Sequence, residues 1–386
     1  MANIDTILPF PFLLFEKSGW RGISLDVLVV RGSFTFFNND APMQLAKQQS
    51  ALAWGDRYLG PVETDPMAAV LAEAGDLVVG KPGTDIILSG HVSSPHGVAV
   101  PDWVASVQVG QVRKQVRVTG PRHFVWQHER WQVTPAKPVS RVALDYRLAL
   151  GGRLLLPDDR GLHSGLIDLS CPTNPAGIGW LPDQADLAHL PHHAQARVSA
   201  WLAQQRNLPA PQFEAVTQAL QQPYDRAQPE GFGPIARWWQ PRTALQGTLD
   251  AKWQAERYPA APDDYDPRYL HSAHPELISA EPLQGDETIR LDHCLPEPQF
   301  TTRLPGLVLQ AMTRYANGTR RILPMMLDTV CLDLDQRLCT LTWRTLFHRN
   351  NPARDISLIA MPIADWQYAT ARAGVSAVPP AEAWLA

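Results

Sequence analysis

Charge is scarce in this chain. Asp, Glu, Lys and Arg make up 19% of its 386 residues, against roughly 25% in an average globular protein. The net charge is −4 and no dense Lys/Arg block occurs. Nonspecific phosphate binding needs clustered basic residues, so nucleic acid is not an expected partner. Cysteine is equally sparse. Cys171, Cys294, Cys331 and Cys339 form no C-x-x-C pair and are too few for a disulfide scaffold. Long apolar runs are missing as well. The opening "MANIDTILPFPFLLFEK" is interrupted by Pro9 and Pro11 and preceded by Asp5 rather than a basic region, which argues against a secretory signal. No uninterrupted apolar run is long enough to span a bilayer. The expectation is a soluble, cytoplasmic protein with reduced thiols and no membrane partner.

Proline is plentiful instead. The chain has 35, about twice the usual share of roughly 5%, and proline breaks helix interiors. The 45% hydrophobic content still allows a large core. Strand patterns dominate. "SLDVLVVRGSFTF" and "TDIILSGHV" are rich in residues that suit a pleated, half-buried surface. "VASVQVGQVRKQVRVTG" reads as a hairpin, with Val107 and Val109 alternating before Gly110-Gln111 and Val116 and Val118 after it. "TVCLDLDQRLCTLTWRTLF" repeats the pattern around a turn at Asp335-Gln336.

Helix signals are few. Asp65 as N-cap, Pro66 and a stop at Gly75 predict a helix over Asp65–Ala74. Val198, Trp201 and Leu202 share one face of a helix predicted over His193–Arg206, and Phe213, Val216 and Leu220 one over Gln212–Gln221. The fold class that follows is mainly β, with antiparallel sandwich-like sheets, long proline-rich loops and a few short helices. The expected organisation is a β-rich lobe over 1–150, a loop and helix connector over 151–230, and a second β-rich lobe over 231–386 packed with the first.

Short catalytic patterns are weakly supported. "GFGPIA" (Gly231 to Ala236) has the spacing of a dinucleotide fingerprint, but "QPE" precedes it and "RWWQP" follows, where the mechanism needs a strand and a helix. His189, His192 and His193 supply imidazoles without an H-E-x-x-H motif or a cysteine pair. His163 beside Ser164 in "GLHSG" is not a nucleophile elbow. Asp263, Asp264 and Asp266 in "PDDYDPRY" are the strongest candidates for acid–base work on a glycosidic bond, or for calcium. Asp in a proline-rich run is also ordinary turn chemistry, with Arg257 and Arg268 close enough in sequence to neutralise it. No metal and no cofactor is expected. "ARWWQPR" carries Arg237, Trp238, Trp239 and Arg242, residue types that concentrate binding energy in protein interfaces.

Several longer runs together resemble one bacterial family. They are "KPGTDIILSG" with Lys81, Pro82, Gly83 and Asp85, and "NPAGIGW" with Asn174, Pro175, Gly177 and Gly179. The run from "GFGPIARWWQPR" through "GTLDAKWQAERYPAAPDDYDPRYLHSAHPE" continues the match, followed by "LQGDETIRL", "LDTVCLDLD" and "LTWR". In order, from about Leu8 to Arg344, they resemble the family filed as domain of unknown function 2169. Leu150 and Leu249 stand where that family's pattern has an aromatic. The resemblance implies an adaptor or chaperone of type VI secretion, which holds a toxic effector and helps load it onto the VgrG and PAAR spike proteins. It implies no catalytic residue. On this reading the 231–270 run is rigid architecture, with Arg237, Trp238, Trp239 and Arg242 as the expected partner contact and the three aspartates capping turns. Two competing expectations are a carbohydrate hydrolase using Asp263, Asp264 and Asp266, and a structural component that leaves with the spike.

Overall fold

The structure, a computed structural model, describes residues 2–19, 22–158 and 165–373. His163 and Ser164 therefore lie outside the described residues. The central sheet runs Phe12–Ser18, Ser24–Thr35, Leu338–His348, Met326–Asp333, Thr84–Ser89 and Ile278–Ser279, with Gln44–Leu45 beside Ser24–Thr35. Neighbours are antiparallel except Met326–Asp333 and Thr84–Ser89, which are parallel. Its longest ladder pairs Ser24–Thr35 with Leu338–His348, from Thr35 opposite Leu338 to Leu25 opposite His348. Strands from the two ends of the chain thus share one sheet.

A second sheet runs Phe213–Glu214, Val112–Thr119, Asp102–Val109, Thr288–Asp292 and Gln299–Arg303. The expected hairpin sits at its centre. Val109 faces Val112 across the turn, and Gly110 takes φ +55°, a left-handed start that glycine adopts without steric cost. The apolar faces of the two sheets meet in one core. Val107, Val116, Ile289 and Leu291 join Val30, Ile86, Leu88, Val330 and Leu341, all buried. Phe36 and Phe300 meet edge to face across the sheets at 5.6 Å. A third sheet of Asn3–Thr6, Ala353–Pro362, Leu307–Tyr315 and Arg320–Pro324 adds Leu309, Ala311, Ile356 and Leu358 to the same core. The fold is mainly β, as the alternating patterns require.

The helix over His192–Leu202 forms where expected. It buries Val198 and packs Trp201 and Leu202 on a satellite cluster with Leu154, Ile167 and Leu187. The other two predicted helices do not form. Pro66–Ala68 is one 3-10 turn, and Val70–Glu73 is a strand paired with Arg57–Leu59. Ala69, Val70 and Leu71 are all buried; three consecutive buried residues suit a strand covered on both faces, not one helical stripe. Asp65 makes no side-chain cap and instead binds Arg153 at 2.5 Å. In Gln212–Gln221, Phe213 and Glu214 extend the second sheet opposite Val118 and Arg117, and Gln212 N–H donates to the Leu148 carbonyl at 2.8 Å. Glu214, buried, pairs with Arg122 and accepts from Leu220 N–H. These tertiary partners override the local helical preference.

No helix among the described residues is long and apolar enough to cross a membrane. All four cysteines are free. Burial pushes the Cys294 thiol up to about 12 and that of Cys339 well above its ordinary value. Because the thiolate is the reactive form, both are expected to react with an aromatic disulfide reagent at pH 8 only after denaturation. Rapid labelling of all four thiols in the native protein would contradict this burial.

Candidate functional site

The 231–270 run is tied down at its start. Leu88 N–H donates to the Phe232 carbonyl at 2.9 Å, and Ile235 N–H to the Ser272 carbonyl at 2.7 Å. Phe232 and Trp239 are fully buried, and Trp239 meets Tyr146 edge on at 5.8 Å. Arg242 is buried too. Its guanidinium donates to the carbonyls of Ile235 and Tyr269 and lies 5.5 Å from the Tyr269 ring. Residues 231–236 run as irregular chain, with neither a strand leading in nor a helix leading out. Of the four residues expected at a partner contact, Trp239 and Arg242 hold the loop from inside. Trp238 is half-buried on Tyr58, ring centres 4.9 Å apart. Arg237 reaches the surface.

Arg237 stands at the junction of two hollows. One is a cavity of about 460 Å³, walled by Lys17 to Gly19, Leu77 to Pro82 and the 246–270 loop. Its lining is mostly apolar, including Leu249, Trp253, Pro262 and Tyr265. The loop wall is stiffened locally. Asp250 accepts from Trp253 N–H at 2.8 Å and caps the short helix Ala251–Glu256, and the Trp253 indole donates to the Ala260 carbonyl at 2.9 Å. The second hollow is an open groove of about 550 Å³ that shares Lys17, Leu77, Val78 and Arg237 with the first and adds Trp54. Trp54 is 72% exposed, unusual for the largest apolar side chain.

Arg237 is aimed by Asp56, which it contacts at 2.7 Å. The same carboxylate accepts from Tyr58 Oη at 2.7 Å and Gly75 N–H at 2.9 Å. Burial alone would raise the Asp56 pKa; the Gly75 and Tyr58 bonds and the Arg237 charge together hold it below the usual carboxylate range. Asp56 is therefore an anion at neutral pH, and it leaves one face of the guanidinium directed into the hollows.

Beneath the cavity floor lies a buried ionic node built from the "KPGTD" run. Asp85 is fully buried and accepts four bonds: Lys81 Nζ at 2.7 Å, His271 Nδ1 at 2.7 Å, Ser272 N–H at 2.7 Å and Ser272 Oγ at 3.1 Å. Lys81 also donates to Thr329 Oγ1 at 2.8 Å. Pro82 is half-buried and turns into the cavity wall. Gly83 is there for contact: a Cβ would stand 2.1 Å from the Ser279 carbonyl oxygen. Next to the node, Asp76 binds Arg31 at 3.0 Å, and Arg344 donates to the Asp76 carbonyl at 2.6 Å and pairs with Asp328. Asp328 falls at a shift in register between Leu327 and Thr329; such irregularities re-aim a side chain.

The "NPAGIGW" run makes a second structural node. Asn174 is buried and donates through Nδ2 to the carbonyls of Tyr146 and Leu150, while Pro175 is buried beside it. A Cβ on Gly177 would meet Asn174 Nδ2 at 2.5 Å. Gly179 pairs with Gly151 in a short parallel bridge.

The three aspartates are separated by their partners. Asp263, 83% exposed, binds Arg257 at 2.8 Å. Asp264 accepts from Thr248 N–H at 2.9 Å and Thr248 Oγ1 at 2.7 Å. Asp266 caps Pro267–Leu270 and pairs with Arg268 at 2.5 Å. Each carboxylate stabilises a turn of the cavity wall. His189, His192 and His193 are exposed around the start of the His192–Leu202 helix. Among the described residues, metal-ligand spacing occurs instead at Glu230, His274 and Glu276. There Lys114 is buried, with Nζ 2.5 Å from Glu230 and 3.4 Å from both His274 Nε2 and Glu276. Burial and then the Lys114 charge push His274 down to about 3, so the imidazole is neutral. An ammonium already supplies the positive charge that two carboxylates need. Sequence reasoning missed this group and Trp54, because the cluster is assembled from residues up to 162 positions apart.

Asp85 generates a stability prediction. Burial works against its charge, but Lys81 and His271 outweigh it and hold the carboxyl far below the usual range. A depressed folded pKa adds stability above the unfolded pKa, which is lost as pH falls through the folded value. Asp85→Asn is expected to destabilise the protein at pH 7 by about 3 kcal/mol, the scale of breaking a buried pair. The gap from wild type should narrow on acidification below the ordinary carboxylate pKa. Denaturant melts between pH 7 and pH 3 measure both; equal stability at pH 7 would remove Asp85 from its structural role.

Residues 21–344 match the family model described as "Uncharacterized protein conserved in bacteria (DUF2169)". No curated protein and no solved structure matches the chain. Most of its length lies inside the family match, and this chain is a member of the DUF2169 family.

Proposed function

We propose that this protein is a non-enzymatic, cytoplasmic adaptor of type VI secretion. It holds a segment of a cognate effector at the double hollow around Arg237 and presents it to the VgrG and PAAR spike proteins. The observation that carries this reading is the pairing of an apolar cavity of about 460 Å³ with the exposed Trp54 across a shared arginine. A pocket of ~300–1,000 Å³ lined by apolar and aromatic groups is the usual form of a binding site. Tryptophan and arginine supply disproportionate interface energy. Pro82, Pro259, Pro262 and Pro267 in the lining restrict the free chain, which lowers the ordering cost of binding. The motifs on which the resemblance rests also shape the cavity: Lys81 and Pro82 line it on one side and the 246–270 loop on the other.

The matching ligand is a peptide with a bulky apolar anchor for the cavity and an acceptor for Arg237. Trp54→Ala and Leu249→Asp change exposed side chains on either side of Arg237. Each is expected to leave the thermal midpoint unchanged. Each should weaken effector binding about thirtyfold, the equivalent of ~2 kcal/mol for an interface anchor, read by calorimetry. Unchanged affinity in both folded variants would move the contact elsewhere. Failure of the wild type to bind any protein encoded beside it would overturn the adaptor reading.

A further inference from the structure

The third sheet ends in an open edge. Arg320–Pro324 pairs with Leu307–Tyr315 on one side and has no strand on the other among the described residues. Two bonds fix which backbone groups face outward. Met325 N–H donates to the Leu309 carbonyl at 2.8 Å, and Tyr315 N–H to the Thr319 carbonyl at 2.9 Å. With Met312 opposite Ile322, the antiparallel alternation puts Arg321 and Leu323 in hydrogen-bonded pairs. Arg320 and Ile322 therefore turn their N–H and C=O groups to the open edge. Pro324 shares their phase, where its missing N–H costs the ladder nothing.

The side chains around this edge are unusual for a surface with nothing on it. Ile322 is 57% and Met312 38% exposed, and the two lie directly opposite. Arg314 and Arg320 are also directly opposite, and like charges in that position repel. Arg314 is neutralised by Asp355. Arg320 and Arg321 have no carboxylate within ion-pair distance among the described residues. An open groove of about 530 Å³ lies along this apolar and cationic strip. Arginines and an edge proline do deter pairing between like edges: two copies of this strand would bring their arginines together. Deterrence alone leaves the adjacent Ile322 and Met312 without a role.

We propose that Arg320–Pro324 is a strand-addition site for an extended, acidic segment of a partner protein. Its backbone completes the ladder through Arg320 and Ile322. On the face that carries Met312, Ile322 and Arg320 it places an apolar side chain beside Ile322 and a carboxylate beside Arg320, and a carboxylate on its other face meets Arg321. Main-chain bonds supply affinity and side-chain pockets supply selectivity in this mode of recognition. The site is separate in its residues from the hollows around Arg237 and does not depend on the adaptor reading.

The probe is a capped, fluorescent heptapeptide, Glu-Glu-Val-Glu-Glu-Glu-Val, whose one strand face alternates glutamate with valine and whose other face is all glutamate, followed by anisotropy. It is expected to bind wild type with an affinity that falls as salt rises. Ile322→Pro deletes an outward N–H and no ladder bond, so the variant should fold, yet bind the probe at least tenfold more weakly. Ile322→Thr keeps the N–H and should lose less. Arg320→Glu with Arg321→Glu should abolish binding of the acidic probe and admit the lysine–valine counterpart, which keeps the proposal testable if the proline variant is unstable. Three results would overturn it. One is no binding by wild type at millimolar probe. Another is equal binding of oligoglutamate in wild type and Ile322→Pro, which would mean charge attraction alone. The third is a wild-type dimer that Ile322→Pro dissociates, which would mean that a second copy occupies the edge.

Discussion

The Asp85 carboxylate is the constraint on which the rest of this structure depends. A buried, ionised carboxylate without donors costs several kcal/mol, so every group that bonds it is fixed in place. Those groups come from two directions: Lys81 from the turn before its own strand, and His271 and Ser272 from the far end of the proline-rich loop. Lys81 passes the constraint on to Thr329 in the parallel neighbour strand. Parallel pairing needs a long crossover, and here the intervening chain is most of the protein. The node therefore sets how the loop of 231–270 sits on the central sheet. It also sets the width of the cavity between Leu77–Pro82 and Tyr265–Leu270.

A single ionic node would leave the other end of the 77–82 wall loose. Asp76 closes it. Its carboxylate takes Arg31 and Ala53 N–H, and its carbonyl takes Arg344. Asp76 and Asp85 thus clamp the two ends of one short irregular segment, and that segment is one wall of the cavity. Irregular backbone carries polar groups that need partners wherever it is buried, which explains the density of buried charge here. Away from this segment, buried charge recurs only in separate groups such as Lys114 with Glu230 and Arg122 with Glu214 among the described residues.

Much of the frame was legible in the sequence, because strand alternation and two-residue turns are local signals. The Asp102–Val109 and Val112–Thr119 hairpin needed only its own residues and Gly110. The helix over His192–Leu202 was legible for the same reason: one apolar stripe on one face. Asp65–Ala74 misled because a proline after an aspartate imitates a helix start. What decided its structure was the strand Arg57–Leu59, which no local pattern announces. Gln212–Gln221 misled likewise, since Phe213 answers to the edge of a sheet made from distant residues. At Trp238 and Trp239 the sequence showed two anchors and could not rank them; Tyr146 decides that Trp239 is interior. The candidate site was least legible. Its cavity joins Lys17, Leu77 and Trp253, and its exposed tryptophan lies in a stretch with no motif.

The few charged residues of this chain divide into those closed by partners and those that reach open surface. Charges that bond one another inside, such as Lys81 with Asp85 or Lys114 with Glu230, fix the backbone and are closed to partners. Asp263, Asp264 and Asp266 shape turns and are already satisfied by donors beside them. Arg237 is different, since Asp56 holds it from behind while it faces open hollows. A guanidinium fixed in this way has surrendered its rotamer entropy in folding, so a partner gains its remaining hydrogen bonds without that cost. The same logic separates Arg314, spent on Asp355, from Arg320 and Arg321 on the open edge. In both places the frame has fixed the backbone first and left arginine beside apolar surface: Arg237 with Asp56 behind it, and Arg320 and Arg321 with no carboxylate partner among the described residues, which is why the same kind of ligand, an acidic and partly apolar peptide, is proposed for each.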